Sequence, residues 1–187
     1  AAALLGGRAT VDGLGAGSLQ GDLAFVDVLE AMGAQVDRSS SSTTVTSDGR
    51  LHGVEVDMSQ LSDTAPTLAV VAAFAEGPTR MTGIGFIRGK ETDRIGNVVA
   101  ELRRLGVDAD EEPDGLIVRP RPGPLRPATI HTYDDHRMAM AFALAGLRSE
   151  GVQIADPGCV AKTFPGYWHL LEGLRDPSQG GAMVRRP

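Results

Sequence analysis

Two segments of the chain are apolar on nearly every side when they are drawn as helices. They run from Thr64 to Ala75 (TAPTLAVVAAFA) and from Arg137 to Leu147 (RMAMAFALAGL). A surface helix carries a polar face, and a helix without one is covered by other parts of the protein. We therefore expect both helices to lie inside the hydrophobic core.

The two apolar helices belong to the same order of elements. Asp63 introduces the first helix and Asp135 the second, and these residues are 72 positions apart. Lys90 and Lys162, each in a turn further along the chain, are also 72 positions apart. The pattern predicts a repeated strand, helix, strand and helix, with strands at Val54 to Met58, Thr79 to Thr82, Ala128 to Tyr133 and Val152 to Ala155.

Helical periodicity and turn residues predict the remaining elements. Further helices are expected at Asp22 to Met32, Thr92 to Leu105 and, with a weaker pattern, Phe164 to Leu174. A Glu-Pro-Asp-Gly turn and a run of serines indicate two hairpins, Val107 to Asp110 with Gly115 to Val118 and Ala34 to Asp37 with Thr43 to Thr46.

The repeat favours one closed α/β (α+β) domain over an open solenoid, because wholly apolar helices must be covered on all sides. We divide residues 1–175 into two and a half to three units, 1–53, 54–127 and 128–175, and expect a loose tail at 176–187. Ala1 to Leu5 resembles the last turns of a helix that starts earlier, so we interpret the chain as a piece of a longer protein.

Composition excludes several classes of function. A formal net charge of −6 argues against a general nucleic-acid binder, and no segment has the roughly 18 unbroken apolar residues of a membrane span. Cys159, the single cysteine, excludes an internal disulfide and a Cys-rich zinc site. The histidines lack metal-ligand spacing. We expect a cytoplasmic protein with no metal and no cofactor, in which Cys159 is a small buried residue.

Seven residues, Arg88 to Arg94, contain three cations and two carboxylates. Such a run is either a solvated surface or part of a site for anionic substrates with proton transfer. In a pseudo-symmetric domain Asp63, Asp135, Lys90 and Lys162 would face a shared site. Each aspartate can also be a helix N-cap, and both interpretations remain open here.

Arg137 stands in the first turn of an apolar helix, where a cation opposes the helix dipole. An anionic partner is therefore expected beside it. A neighbouring aspartate or a bound carboxylate or phosphate would serve.

Three motifs resemble those of the EPSP synthase family, the enolpyruvyl transferases of the shikimate pathway of aromatic amino-acid biosynthesis and the target of glyphosate. They are Lys90 to Arg94 (KETDR), Thr132 to Met140 (TYDDHRMAM) and Ala161 to Pro165 (AKTFP), and their order and spacing match as well. The resemblance covers about Ala1 to Leu174 and only the C-terminal of the family's two domains. It implies a pseudo-threefold domain of βαβαββ units with buried helices.

The resemblance assigns the acids of the site. It implies that Asp63 contacts the attacking shikimate hydroxyl and is a candidate general base, and that Glu91 transfers a proton at the methylene carbon of phosphoenolpyruvate. At Phe86 some family members carry a polar substrate contact, so no role is transferred to that position.

The resemblance also assigns the cations. It implies that Lys90 binds substrate, that Arg94 and Arg137 hold the phosphoenolpyruvate carboxylate, and that Lys162 lies near the phosphate and is catalytic. Phosphoenolpyruvate and shikimate 3-phosphate are the implied substrates. The missing N-terminal domain would supply the remaining ligands, so we expect this chain alone to be folded but inactive.

Two other interpretations are carried forward. The enolpyruvyl transferase that acts on UDP-N-acetylglucosamine shares the architecture, although it is expected to lack this combination of motifs. From a different class, the chain could be a non-catalytic ligand-binding or assembly module.

Overall fold

A computed structural model describes Ala1 and residues 7–175 of the chain. The α-helices are α1 (Phe25–Ala31), α2 (Ala65–Ala72), α3 (Arg94–Arg104), α4 (His136–Ala143) and α5 (Tyr167–Arg175). The strands are β1 (Gly7–Asp12), β2 (Gln35–Arg38), β3 (Ser42–Ser47), β4 (Glu55–Asp57), β5 (Thr79–Thr82), β6 (Asp108–Glu112), β7 (Gly115–Arg119), β8 (Ala128–Ile130) and β9 (Val152–Ile154). The predicted helix end at Ala1 to Leu5 and the predicted tail at 176–187 fall on residues that are not described, apart from Ala1 itself.

The strands form three sheets, in the orders β1-β3-β2, β4-β5-β7-β6 and β8-β9. Strand β4 runs parallel to β5, with Val56 opposite Met81, and β8 runs parallel to β9, with Thr129 opposite Gln153. The other pairs are antiparallel. Both hairpins expected from the turn residues are confirmed.

The sheets repeat one another. The order β1-β3-β2 matches β5-β7-β6, and the parallel pair β8-β9 matches β4-β5. Each parallel pair is joined through one of the two apolar helices, because a tight turn cannot connect parallel neighbours and a longer crossover is needed. Only the middle sheet, β4-β5-β7-β6, includes every strand of a βαβαββ unit among the described residues. The exact division at 53/54 and 127/128 stays a prediction.

Helices α2 and α4 pack against each other in the core, as expected for helices without a polar face. Leu68, Val70 and Val71 of α2 and Met138 and Phe142 of α4 are completely buried. Alanines fill much of the remaining surface of both helices, so their backbones can approach closely. None of the described helices is long and apolar enough to cross a membrane, and the cellular compartment stays a prediction.

Several boundaries differ from the expected ones for local reasons. A 3-10 turn, Ser62–Thr64, precedes α2, and another, Leu144–Leu147, follows α4. Strand β8 ends at Ile130 instead of Tyr133, because Tyr133 and Asp134 adopt left-handed backbone angles of φ 54° and 57° that a strand does not accommodate. Helix α3 begins at Arg94 instead of Thr92, because the Asp93 side chain caps it by accepting from the N–H groups of Ile95 and Gly96.

The buried position of α2 yields a stability prediction. Replacing Leu68 with Ala should lower the free energy of unfolding by about 2–5 kcal/mol, since the side chain is fully buried and its removal leaves a cavity. Leu19→Ala is the matched control, because Leu19 is fully exposed and its truncation should leave stability nearly unchanged. Chemical denaturation followed by circular dichroism measures both, and equal effects would contradict the assignment of α2 to the core.

Candidate active site

Three helix N-termini bring the charged side chains together. Asp63 lies in the 3-10 turn that leads into α2, Arg94 is the first residue of α3, and Asp135 directly precedes α4. Helix α2 packs against both α3 and α4, so the starts of the three helices meet in one place. Residues that are 31 to 74 positions apart in the sequence therefore contact one another.

Arg94 lies at the centre of this cluster. Its side chain is only 1% exposed, and its guanidinium donates to three carboxylates. Nε donates to Asp135 Oδ2 at 2.8 Å, one terminal nitrogen to Asp63 Oδ1 at 3.0 Å, and the other to Glu91 Oε2 at 2.6 Å. Burial alone would lower the pKa of Arg94, but the hydrogen bonds and charges of its partners outweigh it and raise the pKa above its ordinary value.

Asp135 has two functions in the cluster. Its carboxylate is completely buried, accepts from the backbone N–H of Arg137 at 2.8 Å as the N-cap of α4, and also binds Arg94. Burial acts to raise its pKa, but the hydrogen bonds from Arg94 and from the Arg137 backbone prevail and hold the pKa below its usual range. The N-cap interpretation is confirmed for Asp135.

Asp63, in contrast, does not cap its helix. The residue at the N-cap of α2 is Thr64, with no side-chain capping bond, and the Asp63 carboxylate is shared between two arginines. It accepts from Arg94 through Oδ1 and from Arg137 through Oδ2 at 2.7 Å, and its backbone carbonyl accepts from Arg137 at 3.1 Å. The anionic partner expected for Arg137 is therefore Asp63.

The run from Arg88 to Arg94 divides into two parts. Arg88 pairs with Asp93 at 3.0 Å and with Glu111 at 2.6 Å, which fastens the turn before α3 to strand β6. Glu91 faces Arg94 with 38% of its side chain exposed. Lys90 is exposed, forms no ion pair with any residue that the structure describes, and lies 5.9 Å from the centre of the Phe86 ring.

Lys162 lies at the end of the 3-10 turn Pro157–Lys162, which packs against α4. Lys162 is exposed, and its charge contributes to lowering the pKa of His136 in the first turn of that helix. The packing of this turn on α4 thus brings Lys162 near the first turn of that helix. Cys159 in the same turn is buried and burial raises the pKa of its thiol, as expected for a cysteine that fills space.

Two residues of this region were not expected from the sequence. His136 is 6% exposed, and its Nδ1 is buried without a hydrogen-bond partner, 3.8 Å from Asp135 Oδ1. Burial lowers the pKa of His136, as do the charges of Arg137 and Lys162, and these effects outweigh the opposing charge of Asp135.

Glu101 on α3 is the second residue that was not expected from the sequence, and its carboxylate is completely buried. Its position on the apolar face of α3 was the available signal, since a buried acid requires partners.

The cluster consists of side-chain types that bind anions, the arginines, and that transfer protons, the carboxylates. Arg137 uses two of its N–H groups on Asp63 and keeps others that can receive a planar anion in bidentate fashion. Asp63, which contacts Arg137, and Glu91, which pairs with Arg94, are partly exposed carboxylates. Among the described residues no group of three or more His, Cys, Asp or Glu side chains is arranged to hold a metal ion.

Comparison with known proteins identifies relatives over nearly the whole chain. The family model for EPSP synthase (3-phosphoshikimate 1-carboxyvinyltransferase) matches residues 1–171. The 3-phosphoshikimate 1-carboxyvinyltransferase of Nostoc punctiforme is 52% identical over 168 residues, covering 90% of this chain and 39% of the relative. The chloroplastic protein of that name from Brassica napus is 47% identical, with 92% and 35% covered. The chain thus spans about 40% of the length of the curated relatives it matches.

Solved structures agree with the sequence relatives. EPSP synthase from Acinetobacter baumannii superimposes with a TM-score of 0.78 at 27% identity, covering 98% of this chain and 44% of that one. The enolpyruvyl transferase NikO from Streptomyces tendae gives a TM-score of 0.65 at 27% identity, covering 89% of this chain and 38% of that one. The expected α/β fold of the enolpyruvyl transferases, with buried helices, is confirmed.

The burial of Asp135 generates a stability prediction. Asp135→Ala should lower the free energy of unfolding by about 3–5 kcal/mol, because it leaves the buried Arg94 short of a partner and removes the cap of α4. Asp27→Ala is the control, since Asp27 is exposed and its pair with Arg38 lies on the surface, where a loss of at most about 1 kcal/mol is expected. Denaturant titration compares the two, and a similar small loss in both would contradict the central position of the Arg94 cluster.

The environment of His136 generates a prediction about pH. Since its pKa is lowered in the folded protein, the imidazole should titrate below the ordinary value of 6.5, and it should be neutral at pH 7. The unfolded chain then takes up this proton first as pH falls, so the stability that depends on neutral His136 is present above pH 6.5 and is lost progressively below it. Proton NMR titration measures the pKa, with His136→Gln to assign the signal. A midpoint at or above 6.5 would contradict the prediction.

Proposed function

Because the chain belongs to the EPSP synthase family, we propose that it supplies one part of an active site that transfers the enolpyruvyl group of phosphoenolpyruvate to shikimate 3-phosphate, with release of phosphate. The observation that carries the proposal is the sharing of the Asp63 carboxylate between Arg94 and Arg137, with Glu91 on the other side of Arg94. This arrangement places two possible proton-transfer groups next to guanidinium groups that suit an anionic substrate.

The reaction requires this combination of groups. The substrate hydroxyl loses its proton as its oxygen bonds to C2 of phosphoenolpyruvate, while a proton is added to C3. A proton then leaves C3, the double bond forms again, and the bond from C2 to the phosphate oxygen breaks. Each half of the reaction therefore transfers a proton to or from carbon while the protein holds the carboxylate and phosphate groups in place.

Asp63 and Glu91 are proposed to carry the proton transfers. Asp63 would accept the proton of the attacking hydroxyl, and its orientation is set by Arg94 and Arg137. Glu91 would give a proton to C3 and take it back, which suits a carboxylate that is held by one arginine and is open to the site on its other side. Both are on the exposed rim of the cluster, unlike the completely buried Asp135.

The cations are proposed to hold the anions of the substrates. Arg137, with N–H groups to spare, and Arg94 would bind the carboxylate of phosphoenolpyruvate, and a bound carboxylate would compete with Asp63 and Glu91 for the Arg94 guanidinium. Lys162 would lie near the phosphate and assist its departure. Lys90, exposed beside Phe86, would bind the other substrate.

The remainder of the enzyme is the proposed partner of this chain. The relatives are more than twice as long as the region matched here, and a site with a single wall leaves its substrates exposed to water. Electrostatic contacts are strongest when water is excluded, so this chain alone is expected to bind substrates weakly and not to turn them over. Phosphate release assayed with both substrates tests the second expectation.

The relatives favour one of the three candidate functions. The matching family model and the curated proteins named above all concern 3-phosphoshikimate, which gives no support to an enzyme of UDP-N-acetylglucosamine. A non-catalytic assembly module could still retain the fold. It would have no reason to bind phosphoenolpyruvate through Arg137, and this difference can be measured.

A binding experiment separates these possibilities. Phosphoenolpyruvate, with and without shikimate 3-phosphate, is titrated into the ¹⁵N-labelled chain and followed by NMR. Arg137→Ala should weaken binding about tenfold or more, as expected for the loss of a charge-assisted hydrogen bond of about 1.5–3 kcal/mol. Arg119→Ala is the control, because Arg119 pairs with Asp110 on the β6-β7 hairpin and should leave binding unchanged. Equal affinities of wild type and Arg137→Ala would argue for the assembly module.

A further inference from the structure

We propose that Glu101 and Tyr133 form a positioning device for the active site, in which their hydrogen bond holds the backbone turn that presents Asp135 to Arg94. Neither residue contacts the Arg94 guanidinium, and both are proposed to act through Asp135. The importance of this device for catalysis rests on the proposed function, whereas its effect on Arg94 can be measured without any substrate.

Glu101 is a buried carboxylate with three donors. Its Oε1 accepts from the Tyr133 hydroxyl at 2.8 Å, and its Oε2 accepts from the backbone N–H of His131 at 3.1 Å and from Arg104 Nε at 3.1 Å. The side chain is completely buried, on the same face of α3 as Val98 and Leu102. Placing a carboxylate there is unfavourable unless its oxygens are paired, and two of the three donors come from the segment 131–133.

The backbone of this segment is strained. Tyr133 and Asp134 have φ angles of 54° and 57°, and they are the two residues other than glycine with positive φ among those that the structure describes. Left-handed angles are unfavourable for side chains that carry a Cβ atom, and two in succession persist only where surrounding contacts impose them. The hydrogen bond from Tyr133 to Glu101 is such a contact, since it anchors the side chain of the first strained residue.

The strained turn ends at the residue on which the site depends. The N–H of Asp135 donates to the carbonyl of Thr132 at 2.9 Å and closes the turn. The Asp135 carboxylate then reaches Arg94 and the backbone N–H of Arg137. Helix α3 is thus tied to this segment twice, through Arg94 to Asp135 and through Glu101 to Tyr133, and both ties start from the same buried face.

The chemistry of the tyrosine suits a permanent contact. Although Tyr133 is 39% exposed, the loss of solvent around its hydroxyl and the hydrogen bond to Glu101 raise the pKa of Tyr133 to about 12, so the hydroxyl remains a proton donor at neutral pH. Without that hydroxyl the turn can relax toward ordinary backbone angles. Asp135 would then move relative to Arg94, although every residue of the site would still be present.

The test observes Arg94 directly. Its Nε–H group, which is bound to Asp135, should give a separate signal in ¹⁵N NMR spectra of the chain, and the exchange of that proton with water would report how firmly the bond is held. Tyr133→Phe should raise the exchange rate at least tenfold and shift the signal toward that of a free arginine. Tyr167→Phe is the control, because it also removes the hydrogen bond of a tyrosine hydroxyl, from Tyr167 to the Met140 carbonyl of α4 at 2.6 Å, and should leave the Arg94 signal unchanged.

The outcomes are distinct. An unchanged Arg94 signal in Tyr133→Phe, or an equal change in Tyr167→Phe, would overturn the proposal. If the dispersion of the NMR spectrum shows that Tyr133→Phe is unfolded, Glu101→Gln is the second variant, and it should produce the same change because its amide group cannot accept from all three donors. Phosphoenolpyruvate titration of the wild type is recorded separately, so a failure of the proposed function leaves the result for Arg94 intact.

Discussion

The structure depends on the burial of one guanidinium group. Arg94 is 1% exposed, and a charge in that position is tolerated only if its donors are paired with anions of good geometry. The three carboxylates that pair with it come from the start of α2, the turn before α3 and the start of α4. Satisfying Arg94 therefore aligns three helix N-termini, and Arg137 extends from one of them, the first turn of α4.

The apolar core makes this alignment possible. Helices α2 and α4 have no polar face, so they must lie side by side inside the domain, and their polar groups are confined to their ends. Aromatic residues are only 4% of the chain, and close packing relies on alanine and small aliphatic side chains. A core of this kind leaves one polar face where the helices begin, which concentrates charge there.

Much of the site followed from sequence spacing, and the rest depends on backbone detail. The 72-residue repeat and the apolar helices predicted a closed α/β domain in which Asp63 and Asp135 face one site, whereas Arg94 and Arg137 were assigned to that site only by the resemblance of the motifs. The sequence did not decide which aspartate caps a helix, because Asp63 and Asp135 both precede an apolar segment. Only the three-dimensional structure shows that the Asp63 carboxylate accepts from two arginines instead of capping α2. The end of β8 and the proposed role of Glu101 in holding the following turn both depend on the left-handed backbone angles of Tyr133 and Asp134. Sequence patterns do not reveal such angles in Tyr and Asp.

The charge balance of the cluster bears on the proposed binding of an anionic substrate. Arg94 and Arg137 face the carboxylates of Asp63, Glu91 and Asp135, so the acids outnumber the arginines. His136 adds no positive charge at neutral pH because its pKa is lowered. Under the proposed function, additional attraction for an anionic substrate would come from Lys90, from Lys162 and from cations of the proposed partner domain. The carboxylates of the cluster hold the two arginines in place. A substrate anion would have to compete with these carboxylates, and additional cations would favour it in that competition.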